Sequence, residues 1–184
     1  MKRVLLALML LLALPRLASA SEWGNIQPGV TTLQQVQDTY GKPTKETKAK
    51  VDGYDTVQWV YERSQAPQGI IRMIVDFGLL APDGYKPNVV RLLKLEPSPW
   101  IFGRKTVVEG WGPPDGIGKG QGIETFFYKE GLFVVFDSEG DQAVSMIFSI
   151  PQPDAIPQGG QPAPASAPAA APPLGSPPSA APKK

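Results

Sequence analysis

Residues 30–44 read VTTLQQVQDTYGKPT, and residues 101–115 read IFGRKTVVEGWGPPD, an internal similarity at an offset of 71. Val30 aligns with Ile101, Val36 with Val107, Tyr40 with Trp111, Gly41 with Gly112 and Pro43 with Pro114, and both segments close as aromatic-Gly-x-Pro. A chain that repeats itself builds one local unit twice, so this feature limits the fold more than any other. In the first segment Thr32 followed by Gln35 is a capping-box pattern, and Leu33, Val36 and Tyr40 share one helical face. Gly41 and Pro43 then end the helix. In the second segment Ser98 is the expected cap and Pro99 the first helical residue. Its interior is weaker, because Val107 and Val108 are β-branched and Gly103 and Gly110 cost helix stability.

Three strand-like runs follow each helix. They are 56–62 (TVQWVYE), 70–77 (IIRMIVDF) and 89–95 (VVRLLKL), then 124–129 (ETFFYK), 132–137 (LFVVFD) and 143–150 (AVSMIFSI). Gly- and Asp-rich turns separate them, including Asp83-Gly84, Glu130-Gly131 and Glu139-Gly140-Asp141, which are hairpin signals. The expected fold is therefore α+β: two tandem helix-plus-three-strand repeats forming one mainly antiparallel sheet, with both helices on one face, in two layers. Repeat 1 spans about 24–97 and repeat 2 about 98–150.

The Gly-rich run at 111–122, WGPPDGIGKGQG, resembles a phosphate cradle only in composition. A phosphate loop runs strand, glycines, helix, so that a helix N-terminus faces the anion. Here the glycines follow the predicted helix and precede a strand, and Lys119 is followed by Gly120 rather than Ser or Thr. The run is expected to be a flexible helix-to-strand connection, filling the slot of KETKAKVDGYD in the first half.

The flanks differ from the core. Residues 1–20 carry Lys2 and Arg3, an apolar run from Val4 to Leu14, and Ala18-Ser19-Ala20, the pattern of an export signal with mature chain from Ser21. Residues 151–184 number 34, of which 11 are Pro and 9 are Ala, with Ile156 and Leu174 as the large apolar residues. Such a segment cannot bury enough surface to fold and reads as a disordered Pro/Ala-rich spacer. That leaves 21–150 as one globular domain, large enough for a core of its own. The chain has no cysteine and no histidine. No disulfide, no lipid-modified N-terminal Cys, no zinc site of the common type and no His base is available. Without Lys2, Arg3 and Arg16 the chain carries 15 basic and 17 acidic residues, so charge implies neither nucleic acid nor anionic membrane as a target. After signal removal no integral membrane segment is expected, and no cofactor or metal.

IQPGVTTLQQVQDTYGKPT, at 26–44, resembles the helix-start pattern of the BamE (SmpA/OmlA) domain, and two tandem helix-plus-strands units resemble the β-lactamase inhibitory protein fold. The resemblance covers 24–150 and implies an exported, periplasmic or secreted, non-enzymatic module that binds another protein, within envelope or outer-membrane protein assembly. The alternative it implies is a secreted inhibitor of a hydrolase. This chain departs from both patterns, lacking the lipidated Cys of the first and the disulfides of the second.

A small carboxylate-dependent enzyme is a further alternative. Asp76 and Asp137 end corresponding strands and are the candidate acid–base pair, although Asp at a strand end is the ordinary residue of a turn. DSEGD at 137–141 is only a fragment of a calcium loop. For partner binding the candidates are Trp59 and Tyr61 on one strand, Phe126 and Tyr128 on its counterpart, and Arg72 and Arg91, which interrupt apolar strands and mark a wet face. The competing expectation for the four aromatics is that they pack beneath the helices.

Overall fold

The computed structural model describes residues 21–151. The expected export signal and the Pro/Ala segment from 152 onward lie outside the described residues. In chain order the elements are α1 (Leu33–Tyr40), β1 (Lys45–Val51), β2 (Tyr54–Glu62), β3 (Ile70–Ala81), β4 (Gly84–Pro97), α2 (Arg104–Trp111), β5 (Gly116–Gly120), β6 (Ile123–Tyr128), β7 (Leu132–Phe136) and β8 (Ala143–Ser149), with one 3-10 turn at Arg63–Gln65. All eight strands form a single sheet in the order β1-β2-β3-β4-β8-β7-β6-β5. Every neighbouring pair is antiparallel.

The expectation of two tandem helix-plus-three-strand repeats is overturned. Eight strands form rather than six, and the two additional ones, β1 and β5, occupy the stretches expected to be helix-to-strand connections. Both sit at the edges of the sheet. β1, KETKAKV, is exposed along its whole length, so no apolar alternation announces it. Backbone pairing with β2 through seven consecutive rungs holds it, and its lysines suit an edge that must not recruit further strands. β5 is the glycine run GIGKG, held by five rungs to β6. A side chain at Gly118 would meet the ring of Phe127 at 2.8 Å, so the aromatic of β6 takes the space that a β5 side chain would need. The turns into β2 and β6, Asp52-Gly53 and Gln121-Gly122, have positive φ at both residues, the backbone of a two-residue hairpin.

Thr32 caps α1 as a full capping box with Gln35. Helix α2 starts later than expected: Gly103, not Ser98, is its cap, and no side chain caps it. Both helices bury a valine, Val36 and Val107, in one core with alternate residues of the strands, so both lie on the same face. On that face Trp59 opposes Val75, Met73 opposes Leu95, Leu93 opposes Phe148 and Phe148 opposes Leu132, giving one apolar layer continuous across the β4–β8 seam.

The two halves share particular contacts. The Tyr61 hydroxyl donates to the Gly41 carbonyl at the end of α1, and the Tyr128 hydroxyl to the Gly112 carbonyl at the end of α2, both at 3.0 Å. Burial pushes both phenols up to about 12, with Tyr40 adding to the effect on Tyr61 and Asp115 to that on Tyr128. Unfolded phenols ionise near 10, so this contribution to stability is complete below about pH 10 and is lost as pH rises from about 10 to about 12. The thermal midpoint is expected to fall across that window, and to fall less steeply in the Tyr61→Phe/Tyr128→Phe double variant. Equal slopes would place the alkaline sensitivity elsewhere.

Candidate functional site

The sheet face opposite the helices has no element over it among the described residues. Its middle is apolar, with Val60, Ile74, Leu92, Phe133 and Ile147 half-buried, and charged side chains lie among them. Arg72 pairs with Glu62 and Glu96, each at 3.4 Å, and Lys94 reaches Glu96 at 3.1 Å. Arg91 pairs with Asp76 at 3.4 Å, and Gln58 donates to the other oxygen of Asp76 at 2.9 Å. Arg72 and Arg91 therefore mark the wet face, as exposed ends of carboxylate networks.

The four aromatic candidates lie on the other side. Trp59 is 3%, Tyr61 0%, Phe126 3% and Tyr128 5% exposed, packed in the core beneath the helices. Trp59 donates its indole N–H to Glu46 at 2.8 Å, which holds that carboxyl below its ordinary range. These rings have almost no surface to offer a partner, so the expectation that they bind one is corrected. Their alternation put them on one face of each strand, and it is the face that excludes water.

The candidate carboxylates are not brought together either. Asp76 lies at the Leu92–Ser149 level of the sheet, whereas the Asp137 amide bonds to Gln142 near the start of β8. Seven residues of strand separate those levels, on the order of 20 Å. The Asp137 carboxylate accepts from the Asp141 amide at 2.9 Å, and backbone donors of its own turn, Asp141 first, hold its pKa below the ordinary value. Among the described residues, no group of three or more His, Cys, Asp or Glu is arranged to hold a metal ion.

A site that the sequence reading missed opens at the β4–β8 seam. These strands pair over four rungs, from Leu92–Ser149 to Leu95–Met146, and then part. A groove of about 550 Å³ lies where they separate, between Glu96–Pro97 and Ala143–Val144. Two register irregularities aim side chains into it. One, between Ile70 and Arg72, throws Ile71 outward, 54% exposed; the other, beside Phe136, does the same to Val144, 47% exposed. Bulges recur where a sheet must redirect a side chain toward a site.

Trp100 forms the lip. It is 83% exposed and sits at φ 70, in the left-handed region that a bulky side chain rarely adopts. The amide of Ile101 bonds back to Ser98, so the segment expected to begin a helix is instead a turn that holds the indole out. The opposite wall, Asp137–Gln142, carries Asp137, Glu139 and Asp141. That wall is fixed from behind. The Arg104 side chain donates to the Gly140 carbonyl at 2.8 Å, and the Arg104 amide donates to the Asp141 carbonyl at 2.9 Å. The same guanidinium lies over the rings of Phe126 and Phe136, at 5.0 and 4.9 Å, and pairs with Glu124, holding that carboxyl below its ordinary range. The groove is thus apolar inside, acidic on one wall and pre-formed.

No family model matches this chain, and no curated protein matches it. Among solved structures it is similar to a DUF4309 family protein (YjgB) from Bacillus subtilis subsp. subtilis str. 168, with a TM-score of 0.44 and 11% identity over 69% of this chain and 83% of that one. At that level of likeness the site's own chemistry must carry any functional reading. Among the described residues no helix is long and apolar enough to cross a membrane.

Proposed function

We propose that the chain is an exported, non-enzymatic protein-binding module, and that its contact surface is the uncovered sheet face with the groove at the β4–β8 seam. One observation carries this reading. A tryptophan that is 83% exposed, in a backbone conformation unfavourable for it, stands on the lip of an apolar groove. Exposed tryptophan beside a pre-formed apolar pocket is the usual anchor of a protein interface, and backbone strain gathers at such sites. Ile71 and Val144 extend the apolar patch, while Glu96 and Arg72 continue it as a polar rim onto the open face. The N-terminal signal pattern and the resemblance of 26–44 to the BamE domain support the same class of activity.

The test is capture from the native envelope fraction by the full chain and by an Ile71→Ser/Val144→Ser variant. Val30→Ser, altering an exposed valine ahead of α1, is the control. A discrete partner held by the wild type and the control, and reduced at least about tenfold in the double variant, is the expected result, since losing a central apolar anchor costs more than about 1.4 kcal/mol. Equal capture by all three proteins would contradict the reading. If the partner is a hydrolase whose activity is lost on binding, the module is an inhibitor; if it belongs to envelope assembly, a scaffold.

A further inference from the structure

The lining of the groove carries charge of one sign. Glu96, Asp137, Glu139 and Asp141 border it, and no lysine or arginine does. Two of these carboxylates are committed elsewhere. Glu96 pairs with Arg72 and Lys94, and Asp137 accepts the Asp141 amide within its own turn. Glu139 and Asp141 are exposed and form no ion pair with any described residue. Arg104, the cation behind this wall, is taken up by Glu124 and the Gly140 carbonyl. The wall is short of donors as well: the side-chain carbonyl oxygen of Gln142 is buried and accepts no hydrogen bond from a described residue. An occupant that brings positive charge and N–H donors complements this wall.

The other side of the groove narrows the choice of cation. Trp100 presents its ring at the lip, and Ile71 and Val144 present aliphatic surface inside. A guanidinium is planar and weakly hydrated, so it stacks on an indole while its edge donates to carboxylates; an ammonium is compact and holds its water. The methylene stem of arginine covers apolar surface while its head reaches polar groups. We infer that the groove receives an arginine side chain of the partner protein, with its guanidinium between the Trp100 ring and the carboxylates of Glu139 and Asp141 and its stem against Ile71 and Val144. Each ion pair is solvated and contributes little alone, so selectivity comes from stacking and pairing together. This inference rests on the reading of the groove as a contact surface and adds what the partner must present there.

The probes are three blocked tripeptides with alanine at both ends and arginine, lysine or citrulline between, citrulline having the shape of arginine without its charge. Each is titrated into the isotope-labelled full chain and read by NMR on the Trp100 indole and on the amides of 138–142. The arginine peptide is expected to shift both sets to saturation, with a dissociation constant on the order of millimolar, the scale of one side-chain contact. The lysine peptide is expected to bind at least about threefold more weakly, and the citrulline peptide about tenfold. A Glu139→Gln/Asp141→Asn variant, which leaves the backbone bonds of the turn in place, is expected to bind the arginine peptide about fivefold more weakly and with less sensitivity to salt. No saturating shift at Trp100, equal binding of the lysine or citrulline peptide, or unchanged affinity in the variant would overturn the inference. Capture of the native partner is a separate readout. If the Ile71→Ser/Val144→Ser protein loses capture while any of these results is found, the contact surface stands and the arginine falls.

Discussion

Replacing Phe148 by alanine is expected to destabilise the fold by about 3–5 kcal/mol, the cost of a large cavity in a packed core. Phe148 is fully buried on β8, opposite Leu93 of β4 on one side and Leu132 of β7 on the other. Its ring also lies 6.3 Å from that of Trp111, at the end of α2. Only four rungs join β4 to β8, so the apolar layer on the helix face carries much of the cohesion between the two halves. Both neighbours are fully buried leucines set in strands, and neither can shift to fill the void. Chemical denaturation checks this through a lower midpoint. A loss under about 1 kcal/mol would mean that the seam is held some other way.

Gly131→Ala is expected to cost nearly as much, roughly 3 kcal/mol, although it adds a single methyl group. Gly131 turns the chain from β6 into β7 at φ 102, where an L side chain is strained whatever space it has. Here there is no space. A Cβ would stand 2.3 Å from the Ser149 carbonyl oxygen and 2.9 Å from that of Ile150. Both are backbone atoms, at the last residue of β8 and just past it, that must stay close, because the Ser149 amide donates to the Gly131 carbonyl at 2.8 Å. The same substitution at Gly53, with positive φ but open space around it, is the comparison. A smaller loss there separates the clash from the backbone strain, while equal losses would show that the clash is relieved.

Much of the fold lies in local patterns that a reader can see. The six apolar runs fall on β2, β3, β4, β6, β7 and β8, the last three overrunning their strands by one residue, because period-two burial marks a strand whose one face is covered. The capping box at Thr32 marks α1 for a similar reason: a side chain answers a backbone group three residues away. β1 and β5 carry no such mark. One is exposed throughout and mainly polar, the other is mostly glycine, and each is a strand only because a neighbour offers it a ladder, a tertiary cause that no local window contains.

The candidate site divides in the same way. Arg72 and Arg91 stand out because a charge inside an apolar run must face water. The aromatics of β2 and β6 mislead because alternation says that residues share a face without saying which face is wet. The groove was hidden by its own construction. Ile71 and Val144 leave the alternation at register irregularities, and Ser98-Pro99 imitates a helix start while forming the turn that presents Trp100. The available signal was a tryptophan among prolines, in a segment with no apolar periodicity to bury it.

The most direct test of the account is Trp100→Gly, read for stability and for partner capture in one experiment. A left-handed backbone costs a bulky residue on the order of 1 kcal/mol and glycine almost nothing, and the exposed indole adds little to the core. If Trp100 is kept for binding, the variant melts at an equal or higher temperature and no longer captures the partner. A variant that melts lower, or that captures the partner as well as the wild type, would contradict the account.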